Sequence, residues 1–186
     1  MRDAMRMQRM PLCVSAVALS AVALTAALGC LTACAPTPIP TATPTAAFAS
    51  EEEAYAAAEE VYRAYNDALN ERRAMKAGAD PQRYLTGSAL EGDIDTARLL
   101  SSADLHATGI ATIEAFIRES ADLSIGAATV TAVVCIDVSA ISLLDGSGAD
   151  VTPPERGDTI AQQVVLIGAS DSLLISNEST ADGSRC

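Results

Sequence analysis

The sequence predicts an α+β domain: N-terminal amphipathic helices packed on an antiparallel sheet of about four strands. Three observations carry the prediction. From residue 51 to about residue 78, apolar residues recur at spacings of three and four. After about Leu105 they recur at every second position, and no further helical pattern follows. Helices first and strands afterwards is an α+β order, because a parallel α/β sheet needs the two to alternate along the chain.

Ser50-Glu51-Glu52-Glu53 reads as a helix N-cap with its capping-box acid three residues on. The helix that follows places Ala54, Tyr55, Ala58, Val61, Tyr62, Tyr65, Ala68 and Leu69 on one face, with Glu59 and Arg63 four apart on the outer surface. Arg72, Arg73 and Lys76 suit the negative end of the helix dipole, and Gly78 can terminate it. Asp80-Pro81 restarts a helix. In it Tyr84 and Leu85 face inward and Gly87 interrupts, after which Leu90, Ile94, Ala97 and Leu100 or Ser101 resume the helical period. Ala111, Ile113, Ala115 and Ile117 then form one face of a first strand. Ala128, Val130, Ala132, Val134, Ile136 and Val138 form one face of a long second strand, with Thr129, Thr131, Cys135 and Asp137 on the other. Asp145-Gly146-Ser147-Gly148 and Thr152 to Asp158 mark a flexible connection. Ile160–Ile167 and Leu173–Asn177 make a closing hairpin around Gly168 to Ser172.

The 186 residues suit one modest domain with appendages. Twenty-four acids against 12 bases give a net charge of −12, which argues against nucleic acid as a partner, since Lys and Arg supply the affinity for phosphates. A single histidine excludes multi-histidine metal sites and argues against a Ser-His-Asp triad.

The first 50 residues read as an address and a tether. Arg2, Arg6 and Arg9 precede an uncharged stretch from Pro11 to Gly29, the layout of a signal peptide spanning residues 1–33. At its end Leu31-Thr32-Ala33-Cys34 resembles a bacterial lipobox, which implies cleavage before Cys34, lipidation of that cysteine and attachment to the membrane through the lipid. Ala27-Leu28-Gly29-Cys30 is a second candidate. A retained transmembrane helix from Pro11 to Ala33 is another reading, being long enough to span ~30 Å of hydrocarbon. In both, the arginines keep the N-terminus inside and the rest of the chain is exported to the outer face of the cytoplasmic membrane. Residues 34–50 form the lipidated cysteine and a Thr/Pro-rich linker. Its four prolines favour extended backbone at about 3.1 Å per residue, enough for a spacer of roughly 50 Å. Residues 51–186 form the α+β domain.

Processing before Cys34 removes Cys13 and Cys30, leaving Cys135 and Cys186 beside the lipidated residue. An even pair in an exported domain reads as one disulfide, which would clip the end of the chain onto a central strand. No CxxC occurs to support a metal or redox site, and neither a metal nor a cofactor is expected.

The order of elements, with Tyr62 and Tyr65, Tyr84-Leu85-Thr86, Cys135-Ile136-Asp137-Val138-Ser139, and Leu174-Ile175-Ser176-Asn177 ahead of Cys186, resembles the cystatin-like, nuclear-transport-factor-2-like domains of uncharacterised bacterial lipoproteins. The resemblance covers about residues 51–186. It implies a curved antiparallel sheet and no particular reaction; a tryptophan expected near Leu173 is absent. Domains of this kind can hold a pocket between helices and sheet, as in ketosteroid isomerase, where a carboxylate base works with an oxyanion hole of Tyr and a protonated Asp. Tyr62, Tyr65, Tyr84 and Asp137 are the available parts here. Strand alternation sets Asp137 opposite the aliphatic face, which assigns it to solvent or to a neighbouring backbone N–H. The tyrosines read as core residues with hydrogen-bonded hydroxyls. His106 stands alone at a helix-to-strand junction and reads as a surface residue. Asp145, Asp150, Glu155 and Asp158 lack the ligand order of an EF-hand loop and read as a solvated loop. No catalytic residue is therefore expected. The expectation is a non-enzymatic, membrane-anchored surface lipoprotein that binds an envelope protein or serves as an accessory to one. The alternative is a small-ligand pocket protein or a minor isomerase- or hydrolase-like enzyme of the same fold.

Overall fold

Residues 46–186 are described by a computed structural model. The expected signal peptide, Cys30, Cys34 and most of the Thr/Pro run fall outside the described residues. No described helix is long and apolar enough to cross a membrane.

Helix α1 spans Glu51–Arg73 and starts where its capping residues dictate. The Ser50 hydroxyl accepts from the Glu53 N–H at 3.2 Å, and the Glu53 carboxylate accepts from the N–H of Ala49, one residue before the cap, at 2.9 Å. The helix ends before the expected Gly78. Met75 takes a left-handed φ of 53°, and its N–H turns back to the Arg72 carbonyl, closing the last turn early. Packing also begins before residue 51: Phe48, in the segment read as linker, is only 3% exposed and joins the core. A short 3₁₀ turn at Pro81–Tyr84 leads to α2, Gly87–Ser102, which packs on the last strand and buries Ala89.

The main sheet is antiparallel in the order β2 (Thr112–Ser124), β3 (Ala127–Asp137), β5 (Thr159–Gly168), β6 (Leu174–Thr180). The expected face of β3 is buried from Ala128 to Ile136. β2 departs from strict alternation. Register breaks between Ile113 and Ala115 and between Arg118 and Ser120 each insert one residue, and every such bulge reverses which side chains face inward. The first therefore turns Phe116 onto the core where Ala115 and Ile117 were expected, and the second restores the original side for Ala121 and Leu123.

A second, two-stranded sheet pairs β1 (Leu105–Thr108) with β4 (Ser142–Asp145). The segment after it was expected to be a flexible connection, but it is tied down. The Asp145 carboxylate accepts from the N–H groups of Ser147 and Ala149. Arg156 donates to the carbonyls of Ile141 at 2.8 Å and Val138 at 2.7 Å.

Cys135 and Cys186 stand at disulfide distance, 2.14 Å between sulfurs and 5.5 Å between Cα atoms. The tail so held covers the outer face of β3, where Val133 is 0% exposed and Cys135 3%. Arg185 pairs with Glu119 and the Ala181 N–H bonds to the Ala161 carbonyl, so the tail is held at three points.

Candidate functional site

Helical spacing puts Tyr62, Asn66, Leu69 and Arg73 on one stripe of α1, and this stripe organises the polar interior. Asn66 and Asn70 both donate to the Ala111 carbonyl at 3.0 Å, and Asn70 accepts the Ala111 N–H at 2.9 Å, fixing α1 to the start of β2. Further up, the Tyr62 and Tyr65 hydroxyls each donate to one oxygen of the Glu178 carboxylate at 3.2 Å. Their rings meet edge to face with centroids 5.7 Å apart.

Glu178 was not foreseen as a site residue. It lies on β6 beyond a register break between Val165 and Leu166, where Ile175 pairs with Leu166 but Asn177 pairs with Val165. The extra residue, Ser176, reverses the alternation, so Glu178 turns inward after Leu173 and Ile175, where unbroken alternation would have turned Asn177 inward. Burial pushes its carboxyl above the ordinary glutamate range, and the two tyrosine bonds offset only part of that. Burial and the neighbouring Glu178 charge raise both tyrosine hydroxyls. A cavity of about 140 Å³ lies beside this cluster, bordered by Asn66, Gln162 and Arg73.

Adjacent in sequence, Arg72 and Arg73 have different surroundings because one helical step turns the side chain by about 100°. Arg72 makes a two-pronged ion pair with Asp93 of α2, at 2.9 and 2.7 Å, and Gln82 adds a third bond to the same carboxylate at 3.0 Å. The Asp93 side chain is 6% exposed. Burial raises its carboxyl, but the bonds from Arg72 and Gln82 outweigh this and hold it below the ordinary range. Arg73 has no such partner among the described residues: it forms no ion pair, and its Nε–H is buried without an acceptor. Burial, reinforced by the charge of Arg72, lowers its proton affinity.

Arg73 also lines an open cleft of about 590 Å³ between the C-terminal ends of α1 and α2 and the small sheet. Leu100, Leu105, Ala107, Val138 and Ile141 supply its apolar wall; Ser101, Asp104 and His106 add polar groups. The Asp104 carboxylate rests against Gly146, filling the space where a side chain at that position would stand.

The residues singled out in the sequence are mostly dispersed. His106 lies on β1, exposed, at the border of the cleft. Asp137 ends β3, and its carboxylate accepts the Ser139 N–H at 2.8 Å. Hydrogen bonds from the Ser139 side chain and backbone hold it below the ordinary range. Tyr84 sits apart from the other two tyrosines, under the Arg83 guanidinium at 5.1 Å. Asp145 and Asp150 are occupied in turns with Ser147 and Thr152. Among the described residues no group of three or more His, Cys, Asp or Glu could hold a metal ion. The tyrosine pair thus meets Glu178, not Asp137. For Arg73 a signal did exist: its spacing from Asn66 and Leu69 places it on the buried stripe.

No family model matches this chain, and no curated protein matches it. Among solved structures, the intermembrane-space region of the chloroplast protein ARC6 is similar, with a TM-score of 0.43 and 16% identity, covering 69% of this chain and 97% of that one.

Proposed function

We propose that the chain is an exported bacterial surface lipoprotein that acts by binding an envelope component rather than by catalysis. In this reading Cys34 carries the lipid, the Thr/Pro run is the spacer, and the domain is of the cystatin-like, nuclear-transport-factor-2-like kind. The lipobox-like Leu31-Thr32-Ala33-Cys34 supports the anchoring. The observation that carries the binding role is the cleft of about 590 Å³, within the usual range for ligand sites. Arg73, on its lining, offers a planar fork of N–H donors suited to holding an anionic group. Cys34→Ala should leave the precursor unprocessed or release the protein from membranes, read by fractionation and intact mass. Unchanged processing and anchoring would overturn the assignment of Cys34 in favour of Cys30 or a retained helix. Native mass spectrometry of the lipoprotein extracted from its host membrane should show a bound protein or a molecule of a few hundred daltons; an empty monomer would count against the binding role.

Glu178 favours a second reading, an isomerase- or hydrolase-like enzyme. A carboxyl with raised proton affinity beside two tyrosine hydroxyls and a small cavity has the makings of a general base. Under the binding proposal Glu178→Gln, folded and anchored, keeps the cellular phenotype; loss of the phenotype would establish the enzyme reading instead.

A further inference from the structure

We propose that the cleft between α1, α2 and the small sheet binds a small organic monoanion, its carboxylate on Arg73 and its apolar body against Leu100, Leu105, Val138 and Ile141. The inference rests on the domain being a binding module, and adds the chemistry of what it binds.

Four observations converge on it. Arg73 is a half-buried guanidinium without an acidic partner, an arrangement that costs stability until an acceptor arrives. Its neighbour Arg72 already has its counter-charge in Asp93, whose carboxylate Gln82 also bonds, so the unmet demand belongs to Arg73 alone of the pair. The other buried unpaired Nε, on Arg156, belongs to a guanidinium already held by two carbonyls. Those carbonyls are of Val138 and Ile141, so Arg156 fixes the backbone of the cleft wall before any ligand enters.

Ligand charge follows from the same inventory. One guanidinium fork matches one carboxylate. A second negative charge would meet Asp104 at the border, and the chain as a whole carries −12. The apolar residues suit a compact hydrocarbon or aromatic body, because removing that surface from water drives association while the charge fixes orientation.

The test uses the full chain in lipid nanodiscs, titrated calorimetrically at pH 7 with tert-butylbenzoate and with its neutral counterpart, tert-butylbenzyl alcohol, against empty nanodiscs. The acid should bind about tenfold more tightly than the alcohol. Arg73→Gln should abolish that preference while the unfolding midpoint stays level or rises, since a desolvated charge has been removed. Ala97→Trp, at an exposed position on the cleft, should weaken both probes without touching the charge. Equal binding of acid and alcohol, or acid binding unchanged in Arg73→Gln, would overturn the anion assignment and leave the binding module standing. No binding of either probe would overturn the site itself. Anchoring, read separately by Cys34→Ala fractionation, is untouched by either result.

Discussion

Replacing both Cys135 and Cys186 by Ala removes a link between positions 51 residues apart. In the chain-entropy relation, opening a loop of that length returns about 14 cal/mol/K to the denatured chain, or about 4 kcal/mol at 25 °C. Such a loss is a large share of the roughly 5–15 kcal/mol that holds a typical domain. With a urea slope of about 2 kcal/mol per molar, the unfolding midpoint should fall by about 2 M. The slope itself should rise, because an uncrosslinked denatured chain exposes more surface. The folded form should also loosen at the tail, since Arg185–Glu119 and the Ala181 N–H bond remain as its holds over Val133 and position 135. Urea unfolding followed by far-ultraviolet circular dichroism measures midpoint and slope together. A midpoint shift below about 0.5 M with an unchanged slope would refute the reasoning, because the loop entropy would then not be what the bridge contributes. Non-reducing intact mass supplies the check on the starting material: the wild-type chain should gain two hydrogens on reduction.

Three further outcomes follow from side-chain pairing and backbone geometry. Asp93, with its carboxyl held down, contributes stability that is present above the ordinary aspartate range and is lost as pH falls through the lowered value. Asp93→Asn should cost about 1–2 kcal/mol at pH 7, the lower figure allowing for solvent at Arg72, and should flatten the acid limb of a stability–pH curve. An unchanged acid limb would show that the pair is not what titrates. Glu178 has the opposite sign: with its carboxyl raised, its contribution is present below the ordinary glutamate range and lost as pH rises through the raised value, so Glu178→Gln should flatten the upper limb of the same curve. Gly109 holds a φ of +90°, and a Cβ there would stand 1.9 Å from the Ala140 carbonyl oxygen. Gly109→Ala should cost about 3 kcal/mol or more, seen as a fall of roughly 10 °C in melting temperature; a melt within a degree of wild type would refute the close approach.

Local chemistry made α1 and β3 legible. Ser50 and Glu53 cap the helix because short polar side chains can reach the free N–H groups of its first turn. β3 alternates without a break over its whole length, and its aliphatic side is buried as the period requires. Where the backbone inserts a residue, periodicity misleads. The first bulge of β2 turned Phe116 inward, and the bulge at Ser176 brought Glu178 to Tyr62 and Tyr65. Turn chemistry was only half informative: Asp145 and Gly148 do make a turn, but the hydrogen bonds from Arg156 that tie down the following segment reach back 15 and 18 residues.

By itself the sequence determined the helices and the four strands of the main sheet in their order, the helix cap and the two faces of the central strand, all set by interactions within a few residues or by a single period. Tertiary structure alone decided the interior of the candidate site. Asp93 saturates Arg72 from 21 residues away and leaves Arg73 without a counter-charge, while Glu178 meets Tyr62 across 116 residues. Whether a charged side chain is satisfied depends on which groups long-range packing brings within 3 Å of it, and neither composition nor spacing along the chain encodes that distance.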